Sequence, residues 1–194
     1  MTQAKQKQSR NNQLRIIGGQ WRGRKLNFPD LSGLRPTSDR IRETLFNWLQ
    51  ADIIGARCLD LFAGSGAVGF EALSRGATEV VFVDNMQAAV SQLNQNLTML
   101  KNEKGQAFRG DALLFVLRDD MVPFDIVFLD PPFKSGLLGK CISALEQSSC
   151  LKKDSLIYIE NEKQLDVAVP ANWNSLKEKK AGQVKYALYE VSGS

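Results

Sequence analysis

A chain of 194 residues with 43% hydrophobic and 24% charged side chains has room for one soluble α/β domain with a short appendage, and not for two full domains. It contains no histidine, which excludes Ser-His-Asp and Cys-His nucleophiles, His-ligated metals and imidazole bases together. The net charge of +4 hides an asymmetry: residues 1–42 carry a balance of +8 and the remainder one of −4, the pattern of a polyanion-binding arm on a mildly acidic body.

The leader from Met1 to Asn12 is polar, expected to be flexible, and lacks the apolar core of a secretory signal. Leu14–Ile17 and Lys25–Phe28 then read as two short strands of a basic hairpin, broken by Gly18, Gly19 and Gly23, with Trp21 near the tip. Pro36 opens a helix to about Gln50, in which Ile41, Leu45, Trp48 and Leu49 recur at helical spacing. Arg40, Arg42 and Glu43 are expected to fall largely on its other side. Arg15, Arg22, Arg24, Lys25, Arg40 and Arg42 are the candidate contacts to a polyanion backbone. Residues 1–50 are taken as this extension and 51–194 as the main domain.

From Arg57 onward strands and helices alternate. Strands are expected at Cys58–Phe62, Val80–Asp84, Gln106–Arg109, Asp125–Leu129 and Ser155–Glu160, and helices at about Val68–Arg75, Ala88–Leu100 and Ala112–Arg118. Nearly all-apolar strands in such alternation make a parallel sheet covered on both faces. Two further strands, near Leu176 and at Lys185–Val191, are separated by a turn at Gly182 short enough to require an antiparallel pair at one edge. Cys58, Cys141 and Cys150 are odd in number and lack C-x-x-C spacing, so they read as free thiols of a reducing, cytoplasmic setting and not as a disulfide or metal site.

Gly64-Ser65-Gly66-Ala67-Val68-Gly69 fits G-x-G-x-x-G between a strand and a helix, the context in which that pattern marks a nucleotide turn. Asp84, 20 residues after Gly64 at the end of the next strand, suits the two hydroxyls of an adenosine ribose. At this point NAD and S-adenosylmethionine both fit. Asp60 favours the second, because a carboxylate at this strand end repels a pyrophosphate and attracts the amino group of a methionine moiety. Asp111 is placed to accept from an adenine amino group, or caps the helix beginning at Ala112; the roles are compatible.

Asp130-Pro131-Pro132-Phe133 follows the fourth apolar strand of the main domain. The two prolines fix φ and remove two donors, which leaves carbonyls and a carboxylate as acceptors. Two acceptors gripping the N–H bonds of an aryl amine favour a pyramidal nitrogen with its lone pair aimed at a methyl donor. Phe133 offers a face for stacking a base. Orientation and electrostatics supply such catalysis without a histidine. A dehydrogenase would leave Asp60, this turn and the basic arm without roles, and a non-catalytic RNA-binding module would leave both turns unexplained.

Asp60-Leu61-Phe62-Ala63-Gly64-Ser65-Gly66 together with Asp130-Pro131-Pro132-Phe133 resembles the amino-methylating group of class I methyltransferases. The stretches Arg15-Ile16-Ile17-Gly18-Gly19, Gly23-Arg24-Lys25-Leu26 and Arg35-Pro36-Thr37-Ser38-Asp39-Arg40-Ile41-Arg42-Glu43-Thr44-Leu45-Phe46-Asn47 are closely similar to the RsmD family. Members of that family are bacterial 16S ribosomal RNA guanine-N(2) methyltransferases. The resemblance runs from about Leu14 to Val191 and implies a Rossmann-like, doubly wound seven-stranded sheet with its last strand antiparallel. It further implies S-adenosylmethionine contacts through Asp60, Phe62, Ala63, Gly64, Ser65, Gly66, Asp84, Asn85, Asp111 and Ala112, with Asp130, Pro131, Pro132 and Phe133 at the transfer site. The implied partner is 16S ribosomal RNA, as naked RNA or as a protein-bearing assembly intermediate, met by a monomer without a metal. Guanine as the target base comes from the resemblance alone.

Overall fold

The computed structural model describes residues 12–30, 36–119 and 121–193. Arg35 and the expected leader apart from Asn12 lie outside the described residues. The basic hairpin forms from β1 (Asn12–Arg15) and β2 (Lys25–Phe28), paired antiparallel with Arg15 opposite Lys25. A single 3-10 turn at Gly19–Trp21 occupies the tip. Helix α1 (Asp39–Trp48) starts where the Ser38 hydroxyl accepts from Ile41 N–H at 3.4 Å, a side-chain cap for an otherwise unpaired donor.

The main sheet contains β3 (Arg57–Asp60), β4 (Glu79–Asp84), β5 (Gly105–Arg109), β6 (Ile126–Leu129), β7 (Leu156–Glu162), β8 (Trp173–Ala181) and β9 (Val184–Val191). Its order is β5-β4-β3-β6-β7-β9-β8, with β9 antiparallel to both neighbours and the rest parallel. The expected seven-stranded sheet with its antiparallel last strand is therefore present. The strand order reverses between β3 and β6, where a doubly wound sheet opens a crevice outside its carboxyl ends.

Helices α2 (Ala67–Ser74), α3 (Gln87–Met99), α4 (Ala112–Val116) and α5 (Leu137–Gln147) supply the remaining cover. One apolar core unites Leu14, Ile16, Leu26 and Phe28 of the hairpin, Leu45 and Phe46 of α1, and Leu93 and Leu97 of α3 with Cys58, Phe82, Phe128 and Tyr158 of the sheet. The second core lies on the other face, under α4 and α5, and contains Phe115, Cys141, Ile142 and Leu145 with Leu59, Val127 and Ile157. Residues before and after position 50 thus share a core. The three cysteines are buried free thiols. Among the described residues no helix is long and apolar enough to cross a membrane.

Helix α5 is absent from the sequence reading above. Its Leu138, Cys141, Ile142 and Leu145 are buried at helical spacing, but Gly136 and Gly139 in its first turn weaken the local signal.

Candidate functional site

The glycine turn joins β3 to α2. Gly66 is the N-cap of α2 and sits in the left-handed region at φ 76°, where a side chain is strained. Asp84, at the end of β4, holds this turn: one carboxylate oxygen accepts from Gly64 N–H at 2.8 Å and the other from Met86 N–H at 2.8 Å. Each oxygen retains a second lone pair for a ligand. Phe62 is half-buried, Ala63 and Ser65 are buried, and Asn85 beside Asp84 is exposed.

Asp60 is buried at the end of β3 and accepts from Gly69 N–H at 3.1 Å. Burial pushes its carboxyl up to about 7; the Gly69 hydrogen bond opposes that and the nearby Asp84 charge adds to it. A buried carboxylate that resists ionising favours a cationic ligand, since a cation restores the charged form. A pyrophosphate would add like charge. The donor set therefore fits an ammonium-bearing cofactor.

Asp111 caps α4, with Oδ1 accepting from Leu113 N–H at 2.9 Å and Leu114 N–H at 3.1 Å. Ala112 is buried behind it. The capping role is thus realised, and Oδ2 has no hydrogen bond among the described residues.

Asp130 follows β6 and is partly buried; Pro131 is buried, whereas Pro132 and Phe133 are exposed. Ser135 N–H donates to Pro132 O at 3.3 Å and Lys134 N–H donates to Glu162 Oε1, which closes the turn. Burial raises the Asp130 carboxyl well above the usual range, the Glu160 and Asp60 charges add to this, and the Thr37 hydroxyl opposes it. Thr37, at the entry to α1, is a site neighbour the sequence reading did not single out. Glu160 is another: it is buried at the end of β7, with its Oε2 accepting from the Tyr158 hydroxyl at 2.9 Å.

The arm is fastened to this site through Glu71 of α2, which is fully buried. Its carboxylate accepts from Ile17 N–H at 2.9 Å, Gly18 N–H at 2.8 Å and Arg75 Nε at 2.7 Å, and pairs with Arg42 at 3.4 Å. A Cβ on Gly19 would lie 1.8 Å from Ser74 O, so the arm backbone can approach α2 only with glycine there. Arg42 corrects one sequence expectation. It is 1% exposed and pairs with Asp39 at 2.6 Å while donating to Arg15 O at 3.0 Å. Its guanidinium is an internal clamp and cannot reach a polyanion. Arg15, Arg22, Arg24, Lys25 and Arg40 are exposed.

A concavity of about 300 Å³ lined by Asp52, Ile54, Asp125 and Leu156 lies at the opposite end of the sheet and contains none of the candidate residues. The chemistry-bearing groups converge instead on the carboxyl ends of β3, β4, β6 and β7. There the glycine turn after β3 and the Asp130 turn after β6 flank the strand-order reversal. That arrangement defines the protein as a class I methyltransferase.

Comparison with known proteins agrees. The family model described as "Conserved hypothetical protein 95" matches residues 14–190. The chain is 50% identical over 183 residues to ribosomal RNA small subunit methyltransferase D of Escherichia coli (strain K12), covering 94% of this chain and 92% of that one. It is 48% identical over 181 residues to the protein of the same name from Haemophilus influenzae, covering 92% and 94%. The solved structure of the Escherichia coli protein yhhF superposes with a TM-score of 0.86 at 49% identity, covering 94% of this chain and 100% of that one. The chain belongs to the RsmD family.

Proposed function

We propose that the protein transfers a methyl group from S-adenosylmethionine to the exocyclic N2 of a guanine in 16S ribosomal RNA, in the cytoplasm and as a monomer. The observation that carries this reading is the position of Asp130-Pro131-Pro132-Phe133 directly across the crevice from the glycine turn, joined to identity with small-subunit rRNA methyltransferases over nearly the whole chain.

When bound, S-adenosylmethionine supplies an electrophilic methyl on a sulfonium. Asp60 takes its ammonium, Asp84 the ribose hydroxyls, and the free oxygen of Asp111 the adenine amino group, with Phe62 to Gly66, Asn85 and Ala112 forming the walls. Asp130 and the Pro131 carbonyl accept the two N–H bonds of the guanine amine, which turns the nitrogen lone pair toward the methyl. The Asp130 carboxylate, made more basic by burial, would accept the proton that the amine loses when it is methylated. Phe133 stacks on the base, and Arg15, Arg22, Arg24, Lys25 and Arg40 hold the RNA backbone.

Nucleoside analysis of small-subunit RNA from a deletion strain tests this. One N2-methylguanosine should be missing, restored by the wild-type gene and not by Asp130→Ala. A full complement of methylguanosine in the deletion strain would overturn the assignment.

A further inference from the structure

Asp130 and Glu160 lie side by side at the carboxyl edge of the sheet, and Asp60, level with Phe128, lies two residues behind them. Cys58, Phe128 and Tyr158 all belong to the core beneath α1 and α2, and strand side chains alternate faces. The residues two further on in each strand direction, Asp60, Asp130 and Glu160, therefore project to that same face at the carboxyl edge. The β6–β7 register places Leu129 opposite Ile159, so Asp130 and Glu160 are direct neighbours, about 4.8 Å apart in backbone spacing. Among the described residues no ion pair reaches any of the three.

Two of these carboxylates have work in the proposed reaction. Glu160 does not, although it is the more deeply buried of the pair at the transfer turn, with 6% exposure. The Tyr158 hydroxyl anchors Oε2, while Oε1 accepts no hydrogen bond from a described residue. Tyr186 stands opposite Glu160 on β9 and stacks on Trp48 with ring centroids 5.4 Å apart. Oε1 is thus left available to a donor that enters the crevice.

The bases that carry an exocyclic amine differ in the atom next to it. Adenine N1 and cytosine N3 present a lone pair beside the amine. Guanine N1 presents N–H. A carboxylate one strand over from the group that grips the amine repels the first two and accepts from the third.

Building on the methyl-transfer reading above, we propose that Glu160 determines the choice of base, its Oε1 accepting the N1–H of guanine while Asp130 holds the neighbouring N2 amine. Glu160 thereby acts on substrate identity, and Tyr158 positions it. Guanine recognition then has a residue to carry it, where the sequence offered only a family likeness.

The probe is 2-aminopurine, which keeps the 2-amino group but has a lone pair in place of N1–H. Small-subunit RNA from the deletion strain, carrying guanine or 2-aminopurine at the target nucleotide, is assayed with tritiated S-adenosylmethionine. Wild type should favour guanine by about 100-fold or more in kcat/KM, since the wrong edge sets a lone pair against the carboxylate and loses the N1–H hydrogen bond. Glu160→Gln removes the charge and can donate through its amide. It should lower guanine kcat/KM about tenfold and raise the ratio of 2-aminopurine to guanine at least tenfold, with unchanged affinity for the methyl donor. An unchanged ratio, or equal wild-type rates on both RNAs, overturns the role of Glu160. If Glu160→Gln does not fold, Tyr158→Phe serves: it frees Oε2 and should lower the guanine rate while leaving the 2-aminopurine rate unchanged, and equal loss on both RNAs overturns the proposal. Wild-type methylation of adenosine or cytidine would sink base choice by Glu160 and leave methyl transfer standing. No methyl transfer to any RNA would instead sink the underlying function.

Discussion

The raised pKa of Asp60, together with the proposed contact to the cofactor ammonium, predicts a pH dependence of cofactor affinity whose direction can be worked out. In the free protein the carboxyl ionises at about 7 because it is buried, with only Gly69 N–H to stabilise the charge. An ammonium is attracted to the ionised form and not to the neutral one. If only the ionised form binds, the apparent Kd is the intrinsic Kd divided by the ionised fraction, which falls about 25-fold between about pH 7.5 and about pH 5.5 for this value. Asp60→Asn keeps an acceptor for Gly69 N–H and removes the titration. Its affinity at about pH 7.5 should be lower by about 10- to 150-fold, the loss of one charge-assisted hydrogen bond, and nearly flat with pH. Isothermal titration with S-adenosylmethionine at constant ionic strength reads both quantities. A wild-type Kd that does not change over this window, or an Asn variant with the same slope, refutes the reasoning. The same shift acts on stability with the opposite sense. A carboxyl raised from 3.8 to about 7 binds protons more tightly folded than unfolded, so its contribution is fully present below 3.8 and lost as pH rises through about 7. Asp130 and Glu160, also raised by burial, act in the same direction.

Glu71→Gln or Arg42→Ala should destabilise the fold by at most about 3–5 kcal/mol in urea unfolding, because each removes one partner of a buried charge pair while Asp39 stays on Arg42 and Arg75 on Glu71; a loss below about 1 kcal/mol would contradict the clamp. Replacing Arg22, Arg24 and Lys25 together by Ala should reduce the slope of log K against log salt for RNA binding by about 2, with methyl-donor affinity preserved. An unchanged slope refutes a role for those three side chains. Gly69→Ala places a Cβ 2.2 Å from the Phe82 ring, an overpacking that should cost about 1–3 kcal/mol and lower the thermal midpoint.

The sheet was legible because its strands are buried on both faces and therefore read as apolar runs, and because Gly64 to Gly69 and Asp130 to Phe133 lie at the ends of such runs. Both turns occur where a doubly wound sheet opens. Arg42 was not legible. On a helix bearing Arg40 and Glu43 it reads as surface charge, and only its partner Glu71, 29 residues away on another helix, places it inside. Glu160 ends an apolar strand like any solvent-facing residue. Its meaning depends on the parallel register of β6 with β7, a tertiary fact that no local pattern encodes. Helix α5 was lost to two glycines in its opening turn, although the spacing of its buried residues was available.

The Glu71 clamp explains why the arm and the methyl-donor turn need not be coupled by a flexible linker. Glu71 lies on the helix that begins at Gly66, so the same eight-residue element carries the cofactor turn at one end and grips the arm backbone at Ile17 and Gly18 nearer the other. Arg42 adds α1 to the same carboxylate, and α1 begins just past Thr37, whose hydroxyl eases the ionisation of Asp130. The arm, α1 and the helix that carries the glycine turn are thereby related through buried, charge-assisted hydrogen bonds on one residue. Apolar side chains of similar volume often stabilise a core as well as such a group does, but they do not impose a register. Transfer chemistry loses about 100-fold for a misplacement near 1 Å. On the proposed reading, a buried carboxylate with fixed donors holds the arm in a set relation to the glycine turn.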